Sequence, residues 1–175
     1  METLKYPVGR FNFPAEFTTE EINQWIADIA SFPSLLKAEI SNLSAEQLEW
    51  KYRPNGWSIR QVVHHCADSH INSQMRFKLA LTEAKPTIKP YEEHLWAELP
   101  DMQSPIEWSL DLLDNLHKRW TVLLESLSQE DLMKEYVHPE HGKVFNLGQT
   151  ISMYSWHCRH HLAHVKQAKE AQGKH

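Results

Sequence analysis

The 175-residue sequence predicts an all-α fold, an antiparallel four-helix bundle that forms a single domain over residues 1–175. Three observations support this prediction. Four segments repeat apolar residues at the spacing of an amphipathic helix, each segment has a start or stop signal, and moderate loops without repeats connect them. A hydrophobic fraction of 41 % is ordinary for a globular protein, so the chain can bury one substantial core.

The first predicted helix opens in FTTEEINQWIADIA, where Thr18 or Thr19 can cap the N-terminus and acidic residues occupy the first turn. Pro33 is expected to kink this helix or to start a second piece, because proline removes a helical hydrogen bond. The second helix follows PNGWSIRQVVHH. Its expected N-cap is Ser58, and it is expected to run to about Thr82.

The third helix opens at SPIE, whose residues fit the N-cap, N1 and N3 positions of a capping box: Ser104, Pro105 and Glu107. The fourth helix is expected to begin near Asn146, with Gln149 completing a capping box, and to end at Gly173. Between these two helices, EYVHPEHGKVFNL predicts a short hairpin around His141-Gly142, or an irregular segment.

Charge and composition exclude several classes of partner. The formal net charge is −5, which argues against nucleic acids and anionic membranes, because both require a basic surface. The opening METLKYPVGR lacks the basic and apolar layout of a signal peptide, and no apolar stretch is long enough for a membrane span. Two cysteines do not make a disulfide framework, so a cytoplasmic location is expected. The expected partner is a small-molecule substrate.

Histidine is the unusual component, with 12 residues in the chain, and it is densest in WHCRHHLAHVKQ, residues 156–167. Residues four apart share a helix face, so His160 with His164 and His157 with His161 are both candidate pairs for a metal ion. His65, on the polar face of the second helix, is the natural third ligand. Two helix-borne ligands, a third from a facing helix and a water would form an open, catalytic type of site. Helix geometry alone does not choose between the two pairs.

Several stretches resemble the DinB/YfiT-like superfamily, most closely its YfiT branch of metal-dependent hydrolases: NGWSIRQVVHHCADSH, WHCRHHLAHVKQ, YPVGRF, RFKLALTE, KPYEE and HKRWTVLL. The resemblance implies a four-helix bundle, usually dimeric, that holds a divalent ion with three histidines. Carried over by position, the ligands are His65, His160 and His164, with Gln167 at a place where the wider family often has glutamine. One ion per chain is implied, zinc foremost and nickel as the alternative.

Three functions follow from these observations. The first is a metal-dependent hydrolase, in which the ion activates a bound water. The second is a metal-dependent S-transferase that uses a low-molecular-weight thiol such as bacillithiol, and the third is a non-catalytic dimeric metal-binding protein. Asp68, one turn beyond His65, is a candidate for hydrogen bonding to a ligand or accepting a proton, or is a solvent-facing carboxylate. His157 is a candidate for the site entrance or a proton relay, or for plain packing.

The apolar faces of the second and fourth helices carry residues with simpler expected roles. Cys66 and Cys158 lie on these faces and are expected to be small buried hydrophobic residues rather than ligands. His70, also on an apolar face, is expected to be a core histidine satisfied by hydrogen bonds.

Overall fold

Four long helices account for most of the fold, and the computed structural model describes residues 2–140 and 142–175. In chain order the α-helices are α1 (Glu2–Lys5), α2 (Thr19–Ile40), α3 (Ile59–Thr82), α4 (Glu93–Trp96), α5 (Ile106–Glu125), α6 (Gln129–Leu132) and α7 (Leu147–Ala171). Two strands, β1 (Glu135–His138) and β2 (Lys143–Asn146), form an antiparallel hairpin directly before α7. The predicted hairpin is confirmed, although His141, at its expected turn, lies outside the described residues.

Capping boxes start three of the long helices, at N-cap residues that the sequence predicts. Each box pairs an N-cap side chain with the third helical residue: Thr18 with Glu21, Ser58 with Gln61, and Asn146 with Gln149. The predicted box at SPIE is wrong. The N-cap of α5 is Pro105, which has no side chain able to cap, and the carbonyl of Ser104 instead interacts with Arg60 and His64 of α3.

α2 runs as one helix through Pro33 rather than as two pieces. Proline lacks the N–H that would donate to the carbonyl four residues earlier, which here belongs to Ile29. Nδ1 of His117 in α5 donates to that carbonyl, with an N···O distance of 2.6 Å. The bundle therefore supplies from a neighbouring helix the hydrogen bond that proline removes from α2.

The long helices pack as a four-helix bundle, as predicted, in which α2 and α3 each lie against both α5 and α7. The predicted antiparallel arrangement does not hold for every contact, because two of these four helix pairs are parallel. α2 and α7 are parallel, as indicated by two ion pairs whose residue numbers increase in the same order on both helices: Asp28–Arg159 and Glu39–Lys169. α3 and α5 are also parallel, as indicated by the contacts His64–Ser109 and His70–His117. α3 and α7 are antiparallel, as indicated by the contacts His65–His161 and Ser69–Tyr154. The long connection over residues 83–105 lets α5 begin at the same end of the bundle as α3.

The centre of the bundle is filled by apolar side chains from all four long helices. The largest fully buried ones include Ile29, Phe32, Leu36, Phe77, Leu113, Trp120 and Ile151. Cys66 and Cys158 are buried among them, as predicted, and burial raises the pKa of both thiols. None of the helices in the described part of the chain is both long and apolar enough to cross a membrane.

The segment before α2 lies along α7 and covers part of its histidine-rich surface. Trp156 donates its indole N–H to the carbonyl of Gly9, and Gln149 donates to that of Pro14. Gln167 donates to the carbonyls of Leu4 and Tyr52. The bonds to Gly9, Pro14 and Leu4 hold the N-terminal segment against the histidine-rich surface of α7.

Candidate metal centre

Histidines from two helices meet in a pocket of about 480 Å³, here called the histidine pocket. His65 of α3 faces His157 and His161 of α7, with ring centroids 5.4 and 4.8 Å away. One nitrogen from each of these three rings lies within 4.8 Å of the others. Two nitrogens bound at about 2.1 Å to one ion are at most about 4.2 Å apart, so small ring rotations would bring all three into range.

A second group of three comes from α7 alone and consists of His160, His161 and His164. His164 donates from Nε2 to the carbonyl of Lys5 and stacks on Tyr52, with ring centroids 3.7 Å apart. The ring of His160 stacks on that of Trp156 at 4.3 Å. These contacts turn His160 and His164 toward the N-terminal segment and the loop before α3.

The predicted ligands His65, His160 and His164 do not form a group whose ring nitrogens all lie within 4.8 Å of one another in the described part of the chain. The structure places His65 beside the other i, i+4 pair, His157 and His161. His157, expected at an entrance or in a relay, is thus a member of the group that contains His65. The assignment of ligands stays a prediction, and the geometry favours the pair that the resemblance did not select.

A chain of buried histidines leads from the pocket across the bundle and determines the tautomer of His157. His117 donates from Nδ1 to the Ile29 carbonyl, so the neutral ring accepts at Nε2. Nδ1 of His70 lies 2.7 Å from that nitrogen and donates to it. Nε2 of His70 then accepts from Nδ1 of His157, 3.1 Å away. Neutral His157 is left with an unprotonated Nε2, the form that binds metals. The prediction that His70 is a hydrogen-bonded core residue is confirmed.

His65, His157 and His161 have lowered pKa values, which favours their neutral forms at physiological pH. Burial and, to a smaller extent, the neighbouring His160 together lower the pKa of His65 to about 4. The pKa of His157 and that of His161 lie well below the ordinary value for the same reason, burial first and neighbouring histidines second. Nδ1 of His161 is buried without a hydrogen-bond partner, and so are those of His160 and His164. Unprotonated and unpartnered ring nitrogens fit a divalent cation, which needs lone pairs from its ligands.

Asp68 has no hydrogen bond to a histidine within the described residues, and its carboxylate is not part of either histidine group. Burial and the negative charge of Asp101 raise its pKa to about 6. The carboxylate that lines the pocket is Glu93, in α4. Desolvation raises the pKa of Glu93, opposed by His94 and assisted by Glu140. Sequence reasoning missed Glu93, although it lies within the KPYEE stretch that carried part of the resemblance.

The comparison with protein families gives a match to the DinB superfamily over residues 19–165. The chain belongs to the DinB superfamily. The matched region begins with α2 and includes both helices of the histidine pocket.

Relatives of this DinB superfamily protein match along almost their whole length. A protein named "Putative metal-dependent hydrolase" from Bacillus mycoides is 50 % identical over 170 residues, which cover 97 % of this chain and 98 % of the relative. One from Bacillus cereus bearing the same name is 51 % identical with the same coverage. YfiT from Bacillus subtilis, described as a probable metal-dependent hydrolase with an unusual four-helix bundle topology, superposes with a TM-score of 0.95. It is 39 % identical, and the alignment covers 98 % of both chains.

A more distant solved structure shares the fold alone. The mycothiol-dependent maleylpyruvate isomerase superposes with a TM-score of 0.57 at 17 % identity, over 86 % of this chain and 63 % of the isomerase. The predicted fold and family are therefore confirmed.

Proposed function

We propose that this protein is a metal-dependent hydrolase whose divalent ion is held by His65, His157 and His161. The observation that carries the proposal is the meeting of three neutral imidazoles from α3 and α7 in one pocket. Zinc is the proposed metal, since three histidines with an open position are its common catalytic arrangement. The names of the relatives, which match this chain nearly end to end, support the same class of reaction.

The open position supports a catalytic centre rather than a structural one. A structural zinc site is closed by four protein ligands. Within residues 2–140 and 142–175, both groups of candidate ligands contain three histidines and no carboxylate or thiolate. The S-transferase alternative would use the same centre, and no observation beyond the shared fold favours it. Dimer formation and a cytoplasmic location stay predictions.

A divalent ion held by His65, His157 and His161 would supply Lewis acidity, which would lower the pKa of water in the pocket toward about 7 and make it a nucleophile at neutral pH. Glu93 lines the pocket with a raised pKa, which suits a carboxylate that accepts the proton of the attacking water and returns it to the leaving group. His70 holds the Nδ1 proton of His157 and so keeps Nε2 free. Water adds across an ester or amide bond, giving a carboxylic acid and an alcohol or amine.

The test is the metal content of protein purified without an affinity tag, measured by mass spectrometry for wild type, His161→Ala and His164→Ala. We expect about one divalent ion per chain in wild type and in His164→Ala, and none in His161→Ala. His164→Ala is the matched control, because it removes a histidine from the same helix and the same pocket. The zinc form of wild type should hydrolyse members of an ester and amide panel, and His161→Ala should not.

Two outcomes would contradict this assignment. Loss of the ion in His164→Ala with retention in His161→Ala would restore the ligand set implied by the sequence resemblance. Wild type that contains no metal and does not bind added zinc or nickel would refute the proposed function altogether.

A further inference from the structure

Arg76, in the middle of α3, is a buried cation without a counter-charge. Only 8 % of the residue is exposed. Throughout the described part of the chain, its guanidinium forms neither a hydrogen bond nor an ion pair. Guanidinium groups do not deprotonate in proteins, so this charge persists at every working pH.

An unpaired buried charge is costly, because the interior does not replace the hydration that the charge loses. Three carboxylates, those of Glu92, Glu93 and Glu140, line the cavities next to Arg76. All three glutamates are exposed, and none forms an ion pair with Arg76. Solvent therefore screens their charge. The guanidinium of Arg76 is largely removed from bulk water but open to the cavities, and it is left for a group that comes from outside the chain.

Arg76 faces a cavity of about 510 Å³, here called the arginine cavity, that adjoins the histidine pocket. The two share walls, since Glu93, His94 and His157 line both of them. A volume of this size holds a small organic molecule. A molecule in the arginine cavity can therefore contact Arg76 at one end and reach the proposed metal ligand His157 at the other.

Arg76 also lines a second cavity of about 740 Å³, here called the apolar cavity. Its walls are mainly apolar side chains, including Met75, Leu79, Ile88, Leu95, Trp96 and Leu99. Met75 and Leu95 are each more than half exposed, at 55 % and 53 %. Large apolar side chains that line a concave surface and remain exposed are typical of a site that binds an apolar group.

We propose that Arg76 binds the carboxylate of a substrate whose apolar group occupies the apolar cavity and whose hydrolysed bond lies in the histidine pocket. The planar guanidinium matches the two oxygens of a carboxylate. A carboxylate suits the cavity better than a doubly charged phosphate, because Arg76 is its single buried cation among the described residues and Glu92, Glu93 and Glu140 also line it. The role in catalysis rests on the hydrolase proposal; the binding of a carboxylate at Arg76 does not.

The experiment measures binding of phenylbutyrate and of its neutral isostere phenylbutyramide by calorimetry. Wild type should bind the carboxylate roughly 10- to 100-fold more tightly than the amide, as expected for a charge-assisted pair. Arg76→Met should remove that difference and leave amide binding within about twofold. Arg119→Met is the matched control, since it makes the same substitution at an exposed arginine of α5 that lines neither cavity, and it should behave as wild type.

A second measurement separates binding from a structural role. Because Arg76 is unpaired in the free protein, Arg76→Met should keep or raise Tm, whereas loss of a structural arginine would lower it. Phenylbutyrate should raise the Tm of wild type and leave that of Arg76→Met unchanged. The same shift should survive in His161→Ala, so that failure of the metal proposal and failure of this one are distinguishable.

Three results would overturn the proposal. The first is equal or absent binding of phenylbutyrate and phenylbutyramide by wild type. The second is preserved preference for the carboxylate in Arg76→Met. The third is tighter binding of phenylpropyl phosphate than of phenylbutyrate, which would assign the cavity to phosphate esters instead.

Discussion

At His157, the proton on Nδ1 is shared with His70, and the lone pair on Nε2 is left for the pocket. This arrangement begins at Pro33, whose missing N–H frees the carbonyl of Ile29 for His117. From there each ring determines the tautomer of the next. Pro33 in α2 thus influences which nitrogen of His157 in α7 carries the proton. The donor and the acceptor of each hydrogen bond in between are fixed by the bond before it.

His70→Phe should weaken metal binding by roughly 10- to 100-fold, because His157 loses the acceptor that holds its tautomer and ring orientation. The measurement is competition of the zinc form with a chelator of known affinity. His64→Phe is the control, since His64 is also a buried histidine of α3 but contacts Ser104 and Ser109 rather than the pocket. Equal losses in the two variants would show that the relay has no specific effect on the metal.

At the scale of the elements, α7 carries most of the site, and its first turn is held tightly against the N-terminal segment. A Cβ placed on Gly148 would lie 2.1 Å from Cζ of Phe17. The close approach of the Phe17 ring explains why residue 148 is glycine, since its backbone conformation is one that other residues also adopt. Because the histidines lie further along the same helix, the packing of this turn also helps to set the position of α7 against α3.

Gly148→Ala should destabilise the protein by about 1–3 kcal/mol, because the overpacking cost exceeds the gain of at most about 1 kcal/mol in helix propensity. Urea unfolding measures the difference in free energy. In a Phe17→Ala background the same change should be neutral or stabilising, since the ring that clashes is gone. Equal destabilisation in both backgrounds would refute the close contact with Phe17.

At the scale of the whole molecule, the bundle encloses neutral histidines along with its apolar core. Burial lowers the pKa of His117 to about 4 and that of His65 to about 4, against an ordinary value of 6.5. The unfolded chain therefore binds protons that the folded chain does not, once the pH falls below about 6.5. Stability from this source is full above that pH and declines as the pH approaches the folded-state pKa.

Metal-free wild type should therefore lose stability between pH 7 and pH 5, and His117 alone should account for on the order of 2 kcal/mol of the loss. His117→Asn keeps an amide that can donate to the Ile29 carbonyl but does not titrate, so its free energy of unfolding should depend less on pH. Urea unfolding in the presence of a chelator, at several values of pH, gives both curves. Parallel curves for the two proteins would contradict the burial of a neutral His117.

Short sequence patterns predicted the starts of three long helices and the two helices that carry the candidate histidines, but not the carboxylate of the pocket. Thr18, Ser58 and Asn146 act as caps because capping depends on residues three positions apart, which the sequence displays directly. SPIE has the same local pattern, but α3 takes up the Ser104 carbonyl and the box does not form. Glu93 escaped prediction because it lies on a four-residue helix that only the folded chain brings over the pocket.

The sequence by itself determined four amphipathic helices, their caps, and the placement of two i, i+4 histidine pairs on the last helix. Helical periodicity defines which residues share a face, but it does not define how a helix is rotated against its neighbours. That rotation depends on the packing of the whole bundle and on the N-terminal segment, which contacts His164 through Lys5. Tertiary structure therefore decided that His157 and His161 face His65, and that the buried Arg76 lines two cavities.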